Sequence, residues 1–589
     1  MILGTGYVFD KDARERASRG GRNYWWAYMA EVLSCLGLTA MPIPPDDLAG
    51  WLDRISVLFL DEKDASHLLL ELEAWVENGG TLVGCNTEGL DRIFGNVFAT
   101  VREQPGDEFS ISGYFQLKES RFTADIHSPL HPEAPLIAVS RLRLVKTDSS
   151  EEIGTDGEDS YITARPYGGG WAFYFGFNIA QTFWAIQQGR PIDRDYDGDG
   201  YWRTSDAAVI GNNEPEVAYS DELLFLLQNF IGVQPLPMIH QLPPKGECIP
   251  DFVLYYTGDD EGDGGIQVPA SAFMASRGLP YHINTMPKDG RFAITPEEEA
   301  WLKKQGIELS LHYNFMDGFT HPGGFNEEDV KRQADLYVQR FGNAPICANT
   351  HWWRWCGWSE PAIWMVKAGI RADNSFAHRR SPPLDPRNMI GMLFGTSFPH
   401  FFWSDFRRGN ERIDFLELPV VSYEIGYSFS WEELDKGTVD VPQLKKVLLL
   451  AKHYGMTMCM FYHPVYIARV PSCQRCVDEL LSIIRTEGLE VLHLGADDVV
   501  DWWKSRSRAS IEDVRFEGGV LRFRSSCSYR DGFIAKISIG DCEPRMLGTR
   551  SKVVEKFGNR WLLLPIPPGE NEVAVPLGQG NRSKHSVSK

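Results

Sequence analysis

The sequence lacks an excess of basic residues. Its 589 residues include 59 Lys and Arg against 80 Asp and Glu, which gives a net charge of -21 at pH 7. Nucleic acids and anionic membrane surfaces attract basic patches. The composition therefore argues against a nucleic-acid partner, although acidity by itself names no other partner.

Long apolar runs are also missing. No stretch approaches the roughly 20 apolar residues of a membrane-spanning helix, and the N-terminal MILGTGYVFDKDARERASRGG has no charged segment followed by an apolar one. The ten cysteines are scattered, which suits reduced thiols better than a disulfide scaffold. We therefore expect a cytoplasmic protein without a transmembrane segment. The sequence leaves open whether it is a monomer or a homo-oligomer.

The length and the apolar content of 43% are sufficient for several packed domains. Changes in pattern along the chain suggest three: residues 1–240, 241–505 and 506–589. In the first, short apolar runs alternate with amphipathic stretches, which predicts a doubly wound α/β domain with a parallel sheet. Prolines 235, 237, 243 and 244 mark a linker after it.

The phrase LEAWVENGGTLVGCNTEG in the first domain resembles the class I glutamine-amidotransferase-like fold. The resemblance implies a nucleophilic cysteine after this strand, and Cys85 occupies that position. Such a nucleophile needs a histidine base, but the later FYFGFNIAQ offers Asn178 and no histidine. We therefore expect a retained fold without chemistry.

An acidic loop, DYDGDGYWRTSD, follows late in this domain. Asp195, Asp197, Asp199 and Asp206 occupy positions 1, 3, 5 and 12 of a calcium loop, with Gly200 at the sharp turn. Oxygen ligands at these offsets suit Ca²⁺. The last position carries Asp rather than the usual Glu, so we favour a solvated turn and keep Ca²⁺ as the alternative.

The central domain opens with DFVLYYTGDDEGD, an apolar strand that ends in adjacent acids. Strands and helices then alternate, which predicts a distorted (β/α) barrel of about seven or eight units. Titratable residues lie at or near the ends of separate predicted strands: Asp259, Asp260, His312, His351, Asp373 and His463. Such ends converge on one mouth of a barrel, and an Asp with two His suits an open Zn²⁺ site.

The succession of TGDDEGD, ELSLHYNF, ANTHWWRW, IRADNSF and MFYHPVY resembles the polysaccharide deacetylase (NodB-homology) family over residues 251–503. The resemblance implies that Asp259 is the general base, that Asp260 and His312 bind the metal, and that His463 is the general acid. Asp373 matches loosely the acid that orients the catalytic histidine.

The sequence departs from the family pattern at one ligand. The second motif of the family has two histidines four residues apart, but Met316 stands where the second is expected. His351 is the preferred substitute, since it follows the next strand, and His321 is the alternative. Arg354 is the candidate for the arginine that the family offers to the base.

The assignment describes a Zn²⁺-dependent hydrolase that removes the N-acetyl group from an amino sugar of a glycan, releasing an amine and acetate. Hydrolysis of another acyl or ester bond, and a non-catalytic glycan-binding or scaffold protein, remain alternatives. Most aromatic residues of this region should fill the core. Trp352, Trp353 and Tyr313 are the candidates for sugar contacts. The alternating strands of residues 506–589 predict a small β-sandwich that caps the barrel.

Overall fold

The protein is represented by a computed structural model that describes residues 2–61, 64–210, 216–246, 248–377, 389–542, 544 and 551–578. The mixed α/β class predicted from the sequence is confirmed. No helix in these ranges is long and apolar enough to cross a bilayer. One hydrophobic cluster, which includes Trp184, Tyr256 and Trp561, extends through all three parts of the chain.

The first part contains one large sheet and the helices around it. Its strands and the short strand that follows are β1 (Thr5–Val8), β2 (Ala40–Ile43), β3 (Val57–Leu60), β4 (Thr81–Cys85), β5 (Asn96–Arg102), β6 (Gly113–Leu117), β7 (Leu136–Ala138), β8 (Leu142–Thr147), β9 (Glu151–Thr155), β10 (Ser160–Tyr167), β11 (Gly170–Phe175) and β12 (Pro237–Ile239). Its helices are α1 (Lys11–Arg19), α2 (Met29–Leu36), α3 (Leu69–Glu77), α4 (Asp91–Phe94), α5 (Ile179–Gln187), α6 (Thr204–Ala207) and α7 (Tyr219–Ile231).

The first sheet is only half of the predicted doubly wound type. Strands β2, β1, β3, β4 and β11 are parallel neighbours in that order. From β11 onward the strands β10, β9, β6 and β7 are antiparallel, and β5 with β8 extends this half. Antiparallel neighbours need only short turns. The turn between β9 and β10 is an example, because Asp156 Oδ1 accepts hydrogen bonds from the backbone N–H groups of Glu158 and Asp159.

The central part contains a second large sheet. Its strands are β13 (Phe252–Asp259), β14 (His282–Thr285), β15 (Glu308–Tyr313), β16 (Cys347–Thr350), β17 (Ala372–Asp373), β18 (Met389–Ile390), β19 (His400–Trp403), β20 (Arg412–Glu417), β21 (Ser422–Tyr423), β22 (Thr457–Phe461) and β23 (Val491–Leu494). Its helices are α8 (Gln267–Ser276), α9 (Pro296–Lys304), α10 (Glu327–Phe341), α11 (Glu360–Lys367), α12 (Val441–Tyr454), α13 (Pro464–Arg469), α14 (Pro471–Thr486) and α15 (Ala496–Arg508).

Local sequence signals fix several of these helices. Helix α10 begins with a capping box, in which Asn326 accepts from the N–H of Asp329 and the Asp329 side chain accepts from the N–H of Asn326. It ends before Gly342, whose φ of 91° lies in the left-handed region that glycine adopts easily. A second capping box, between Thr295 and Glu298, begins α9.

The central sheet is a curled half-barrel, where the sequence predicted a distorted (β/α) barrel of about seven or eight units. Its order is β18-β21-β22-β13-β14-β15-β16-β17-β20-β19, with β23 also alongside β13. The strands from β21 to β20 are parallel, whereas both edge strands are antiparallel to their neighbours. Side chains of the first part cover one edge, because Glu31 and Gln188 accept hydrogen bonds from the N–H groups of Phe401 and Trp403. An edge satisfied in this way does not need barrel closure.

The last part forms two small sheets, as expected for a sandwich. The strands of this part are β24 (Ser510–Glu517), β25 (Val520–Cys527), β26 (Phe533–Ser538), β27 (Lys552–Lys556), β28 (Asn559–Ile566) and β29 (Gly569–Pro576). One sheet has the order β24-β25-β29 and the other β12-β26-β28-β27. The predicted linker therefore supplies a strand, β12, to the C-terminal part.

Candidate active site

The carboxyl ends of neighbouring parallel strands carry four of the predicted site residues. Strands β22, β13, β14, β15 and β16 lie side by side. Asp259 is the last residue of β13, and His312 lies near the end of β15. His351 follows β16 directly, and His463 comes two residues after β22. All four side chains therefore reach the same rim of the half-barrel.

Glu261 lies at the centre of this group. Its carboxylate oxygens are 2.9 Å from Nδ1 of His351, 3.3 Å from Nε2 of His463 and 4.0 Å from Nε2 of His312. His312 Nε2 is also 3.5 Å from the Asp259 carboxylate and 3.0 Å from His351 Nδ1. Two carboxylates and three imidazoles, drawn from residues 259 to 463, thus share one small volume.

The donor set fits a transition metal. Glu261, His312 and His351 each offer a ligand atom, and these atoms lie within 4.8 Å of one another. Two ligands bound at about 2.0–2.1 Å to a tetrahedral Zn²⁺ lie about 3.3 Å apart, which is similar to the spacings observed. Burial lowers the pKa of His312 to about 3, so its imidazole is neutral, which is the form that binds metal.

The two carboxylates also favour a cation. Burial, together with the negative charge of Glu261, raises the pKa of Asp259 well above its usual range. Burial acts on Glu261 in the same direction, but hydrogen bonds from His351 and His463 outweigh it and hold the Glu261 pKa well below its usual range. A bound cation would favour the charged form of the Asp259 carboxyl and would therefore lower its pKa, opposite to the effect of burial.

Backbone strain is concentrated at this rim. Glu261 has a φ of 54°, Trp352 of 58°, Trp353 of 51° and Glu424 of 47°. Side chains other than Gly, Asn and Asp rarely adopt the left-handed region, and such strain persists only where the surrounding structure imposes it. Functional sites are where such residues cluster. The strain therefore supports a functional role for this rim.

His463 is held by Glu424. The Glu424 carboxylate, whose residue is 1% exposed, lies 2.6 Å from His463 Nδ1 and accepts from the His463 backbone N–H at 2.7 Å. Tyr427 donates its hydroxyl to the other oxygen. Burial by itself would lower the pKa of His463, but the surrounding Tyr423, Glu261 and Glu424 outweigh it, so the pKa lies well above its usual range. His463 is therefore protonated, with Nε2 directed at the cluster.

A chain of hydrogen bonds supports Asp259 from behind. Asn284 Nδ2 donates to Asp259 Oδ1 at 2.8 Å, and Asn284 Oδ1 lies 3.2 Å from Nε2 of His282. His282 Nδ1 is 2.9 Å from the Glu308 carboxylate. Burial opposes protonation of His282, but Glu308 and Asp497 outweigh it and raise the His282 pKa. A doubly protonated His282 donates on both sides and fixes the Asn284 amide so that its NH₂ faces Asp259.

Asp260 is directed away from the cluster. Its carboxylate accepts from the N–H groups of Gly262 and Met286 at 2.9 Å, from Gln267 Nε2 at 2.9 Å and from the Thr285 hydroxyl at 2.7 Å. The residue is fully buried. In this position Asp260 ties the loop after β13 to the end of β14, and the carboxylate closest to the histidines is that of Glu261.

Arg354 and His321 contact each other rather than the cluster. Nη1 of Arg354 lies 2.5 Å from His321 Nδ1, and its other amino group donates to the Gly323 carbonyl. His321 Nε2 lies 3.2 Å from the Met316 carbonyl. Both ring nitrogens of His321 therefore have protein partners. His351, the preferred substitute ligand, is the one that the structure places beside His312.

Asp373 lies behind His351 and not beside His463. It accepts from the N–H and hydroxyl of Ser375 at 2.8 and 3.0 Å, and Ser375 Oγ accepts from the Thr350 N–H at 2.8 Å. Thr350 directly precedes His351, so Asp373 supports the turn that carries that histidine. Burial raises the pKa of Asp373 to about 7, and Glu417 is its partner on the neighbouring strand β20.

The three aromatic candidates differ in exposure. Trp352 is 43% exposed and packs edge-on against Tyr201 at 5.2 Å. Trp353 is 6% exposed and contacts Tyr423 at 5.2 Å. Tyr313 is fully buried and stacks on Phe315. Trp352 alone among the three offers an accessible ring next to His351.

The acidic loop of residues 195–206 lies near the same rim, since its Tyr201 packs against Trp352. Asp195, Asp197 and Asp199 offer oxygens within 4.8 Å of one another, as a calcium loop would. Asp195 accepts from the N–H groups of residues 198, 199 and 200, and Asp206 accepts from those of residues 196, 197 and 203. Asp199 also lies 3.2 Å from Arg203. Backbone N–H groups of the loop itself therefore satisfy Asp195 and Asp206.

The cysteine of the first domain is inaccessible. Cys85 ends β4 and is fully buried, and Asn178 caps α5 by accepting from the Gln181 N–H. The thiol in this position is shielded from solvent.

Two residues of the cluster were not selected in the sequence. Glu261 directly follows the two acids that were selected, and its neighbour Gly262 signals a turn in which the third acid re-enters the site. Glu424 follows β21, a strand of only two residues, and SYEIG carries no pattern that indicates a site. Glu261 could have been found from the acidic run, whereas Glu424 could not.

Comparisons with known proteins leave the family open. Searches with family models and against curated proteins find no match. A β-galactosidase from Bacillus circulans sp. alkalophilus is 14% identical, with 30% of this chain and 28% of that chain covered and a TM-score of 0.23. A putative polysaccharide deacetylase involved in O-antigen biosynthesis from Bordetella bronchiseptica is 13% identical, with 42% and 83% covered and a TM-score of 0.23. A cytoplasmic protein from Salmonella typhimurium is 15% identical, with 26% and 75% covered and a TM-score of 0.19. The chain spans under a third of the galactosidase, and at these TM-scores the resemblance carries no argument about function.

Proposed function

We propose that this protein is a metal-dependent hydrolase that removes the acetyl group from an N-acetylated amino sugar in a glycan. One observation carries the proposal: three imidazoles and the Asp259 carboxylate surround the Glu261 carboxylate at one rim of the half-barrel. These groups come from four separate strands, and each could perform one part of an amide hydrolysis.

Glu261, His312 and His351 would hold the metal. Three protein ligands of this type leave a fourth position of a tetrahedral ion open. When bound, Zn²⁺ supplies Lewis acidity, which polarises a carbonyl group and activates water for attack. In this assignment Glu261 takes the ligand role that the family resemblance implied for Asp260.

Asp259 and His463 would move the protons. Water adds to the acetyl carbon while the Asp259 carboxylate accepts a proton from it, with Asn284 fixing the carboxylate. His463 Nε2 then donates its proton to the amide nitrogen as the C–N bond breaks, and the electron pair of that bond stays on the nitrogen. The products are acetate and a free amine. Glu424 keeps His463 protonated and correctly oriented.

Trp352 supports a carbohydrate substrate. Its ring is 43% exposed, adjoins His351 in the chain and is braced by Tyr201 and by the guanidinium of Arg203 at 4.6 Å. A sugar ring stacked on it would be held beside the metal ligands. An aromatic platform is equally suited to an O-acetylated sugar, so ester substrates belong in the test.

The test is metal content together with acetate release. The pure protein should carry about one divalent metal per chain by mass spectrometry of the metal, and should release acetate from N-acetylglucosamine oligomers only when Zn²⁺ is present. Glu261→Gln should lose both properties, whereas Glu297→Gln, on the exposed surface of α9, should keep both. A metal-free wild-type protein that stays inactive after Zn²⁺ is added would refute the proposal.

A non-catalytic glycan-binding protein is the second candidate. The observation that favours it is the pairing of Glu261 with His351 and His463, because these groups balance their charges without an ion. This candidate predicts binding of acetylated oligosaccharides by a metal-free protein that releases no acetate and keeps its affinity in Glu261→Gln.

A further inference from the structure

A large cavity lies at the opposite end of the central sheet from the candidate active site. Its volume is about 880 Å³, within the range of roughly 300–1,000 Å³ that is usual for small-molecule sites. Asp251, which precedes β13, lines it, whereas the active site follows the other end of that strand. The other walls include the end of α12, the sheet that contains β26, β27 and β28, residues 125–132 and Phe225 of α7.

The cavity is basic in a chain that is strongly acidic. Four lysines line it, against three carboxylates, while burial lowers the pKa of the lining His240 and His453 so that both are neutral. Asp251 lies 3.5 Å from Lys552 within the lining, and Glu555 lies 3.8 Å from Arg560 outside it. Lys536 and Lys556 have no carboxylate at ion-pair distance in the part of the chain that the structure describes.

Lys536 is the clearest case. It belongs to β26, whose six residues are all buried, and is itself only 5% exposed. Its ammonium donates to Gln228 Oε1 at 2.8 Å and lies 4.6 Å from the centre of the Trp561 ring. Neither partner carries a charge. Burial, and secondarily the charge of Lys556, lowers the Lys536 pKa well below its usual range.

Lys556, the last residue of β27, is half-buried. Its ammonium is 3.5 Å from the Lys452 carbonyl oxygen and lies over the Phe557 ring at 5.3 Å. Burial lowers its pKa to about 8, and Asp251 opposes this only in part. A buried cation without a counter-ion is costly, and a bound anion removes that cost.

Part of the lining is aromatic. Phe225 stacks on Phe557 with ring centres 4.4 Å apart and on Tyr454 at 6.3 Å, and Phe398 meets it edge-on at 6.5 Å. These four rings, called the Phe225 wall below, lie in the same lining as the lysines. A ligand that matches both features has a flat apolar body and one anionic end.

We propose that this cavity binds an organic anion that consists of a flat apolar body and a terminal sulfonate, phosphate or carboxylate group. The anionic group lies between Lys536 and Lys556, and the body lies against the Phe225 wall. The proposal does not depend on the hydrolase reaction, since none of these residues belongs to the cluster around Glu261.

Naphthalene-1-sulfonate is the probe, measured by titration calorimetry on the full chain at low salt. We expect binding that weakens at least tenfold in Lys556→Met and is unchanged in Lys331→Met, which removes an exposed lysine of α10. Naphthalene-1-methanol, which lacks the charge, and inorganic sulfate, which lacks the body, should both bind at least tenfold more weakly. Glu261→Gln should bind the probe as the wild type does, so failure of the hydrolase assay leaves this result untouched.

Lys536→Met is the second variant and is compared only if its circular dichroism spectrum is native; otherwise Lys556→Met decides. Absence of binding at millimolar probe, equal affinity for the uncharged compound, or equal affinity of the wild type and Lys556→Met would each overturn the proposal.

Discussion

Replacement of Glu424 by Gln tests the proposed proton donor most directly. Gln has the same shape and can still accept from the ring and backbone N–H of His463, which now lie 2.6 and 2.7 Å from one carboxylate oxygen. It removes only the charge. Hydrogen bonds to a charged group contribute about 1.5–3 kcal/mol each and are roughly twice as strong as neutral ones.

Each of the two hydrogen bonds becomes a neutral one and loses about half of its energy, which costs about 1.5–3 kcal/mol in total. At 1.36 kcal/mol for each tenfold change in rate, kcat should fall about 10- to 100-fold. Because Glu424 helps to raise the pKa of His463, its loss lowers that pKa. The decline of kcat at high pH, where His463 loses its proton, should therefore move to lower pH.

The assay is acetate release from N-acetylglucosamine oligomers with saturating Zn²⁺ across pH 5–10, with metal content measured in parallel. Glu424 forms its hydrogen bonds with His463 and Tyr427, neither of which is a proposed metal ligand. The metal content should therefore stay at the wild-type level. Glu432→Gln, an exposed neighbour, is the matched control. An unchanged kcat and pH profile in a folded, metal-loaded Glu424→Gln protein would refute the role of His463 as proton donor.

Three further outcomes are expected. Asp260→Ala leaves four donors, three of them buried, without this acceptor and should reduce the free energy of unfolding by about 3–5 kcal/mol in urea titrations; a loss below 1 kcal/mol would contradict the structural role. Burial, with the charges of Asp197 and Asp195, raises the pKa of Asp206 to about 7, so this group makes unfolding progressively easier as pH rises from about 4 to 7; Asp206→Asn should flatten that part of the stability profile, and an unchanged slope would contradict the shift. Trp352→Ala should raise KM about 2- to 10-fold with kcat within twofold, since stacking contributes about 0.5–1.5 kcal/mol; a loss confined to kcat would exclude a sugar platform.

Much of the fold could be predicted because its signals are local. Helix α10 is fixed by the Asn326 capping box and by Gly342, and β13 is fixed by an apolar run that ends in acids. The strand order and the openness of the central sheet could not be predicted. They depend on contacts between distant segments, such as the acceptance by Glu31 of a hydrogen bond from the Phe401 backbone.

The sequence by itself determined that Asp259, His312, His351 and His463 lie at the ends of parallel strands, because strand endings are set by short-range chemistry. Only the tertiary structure decided which carboxylate faces them. Glu261 turns inward and Asp260 outward, since four donors from the loop after β13, the start of α8 and the end of β14 hold Asp260 in place. A strand pattern predicts where a residue lies along the chain relative to the end of a strand. The direction in which a side chain beyond that end points depends on the hydrogen-bond partners that the folded chain brings to it.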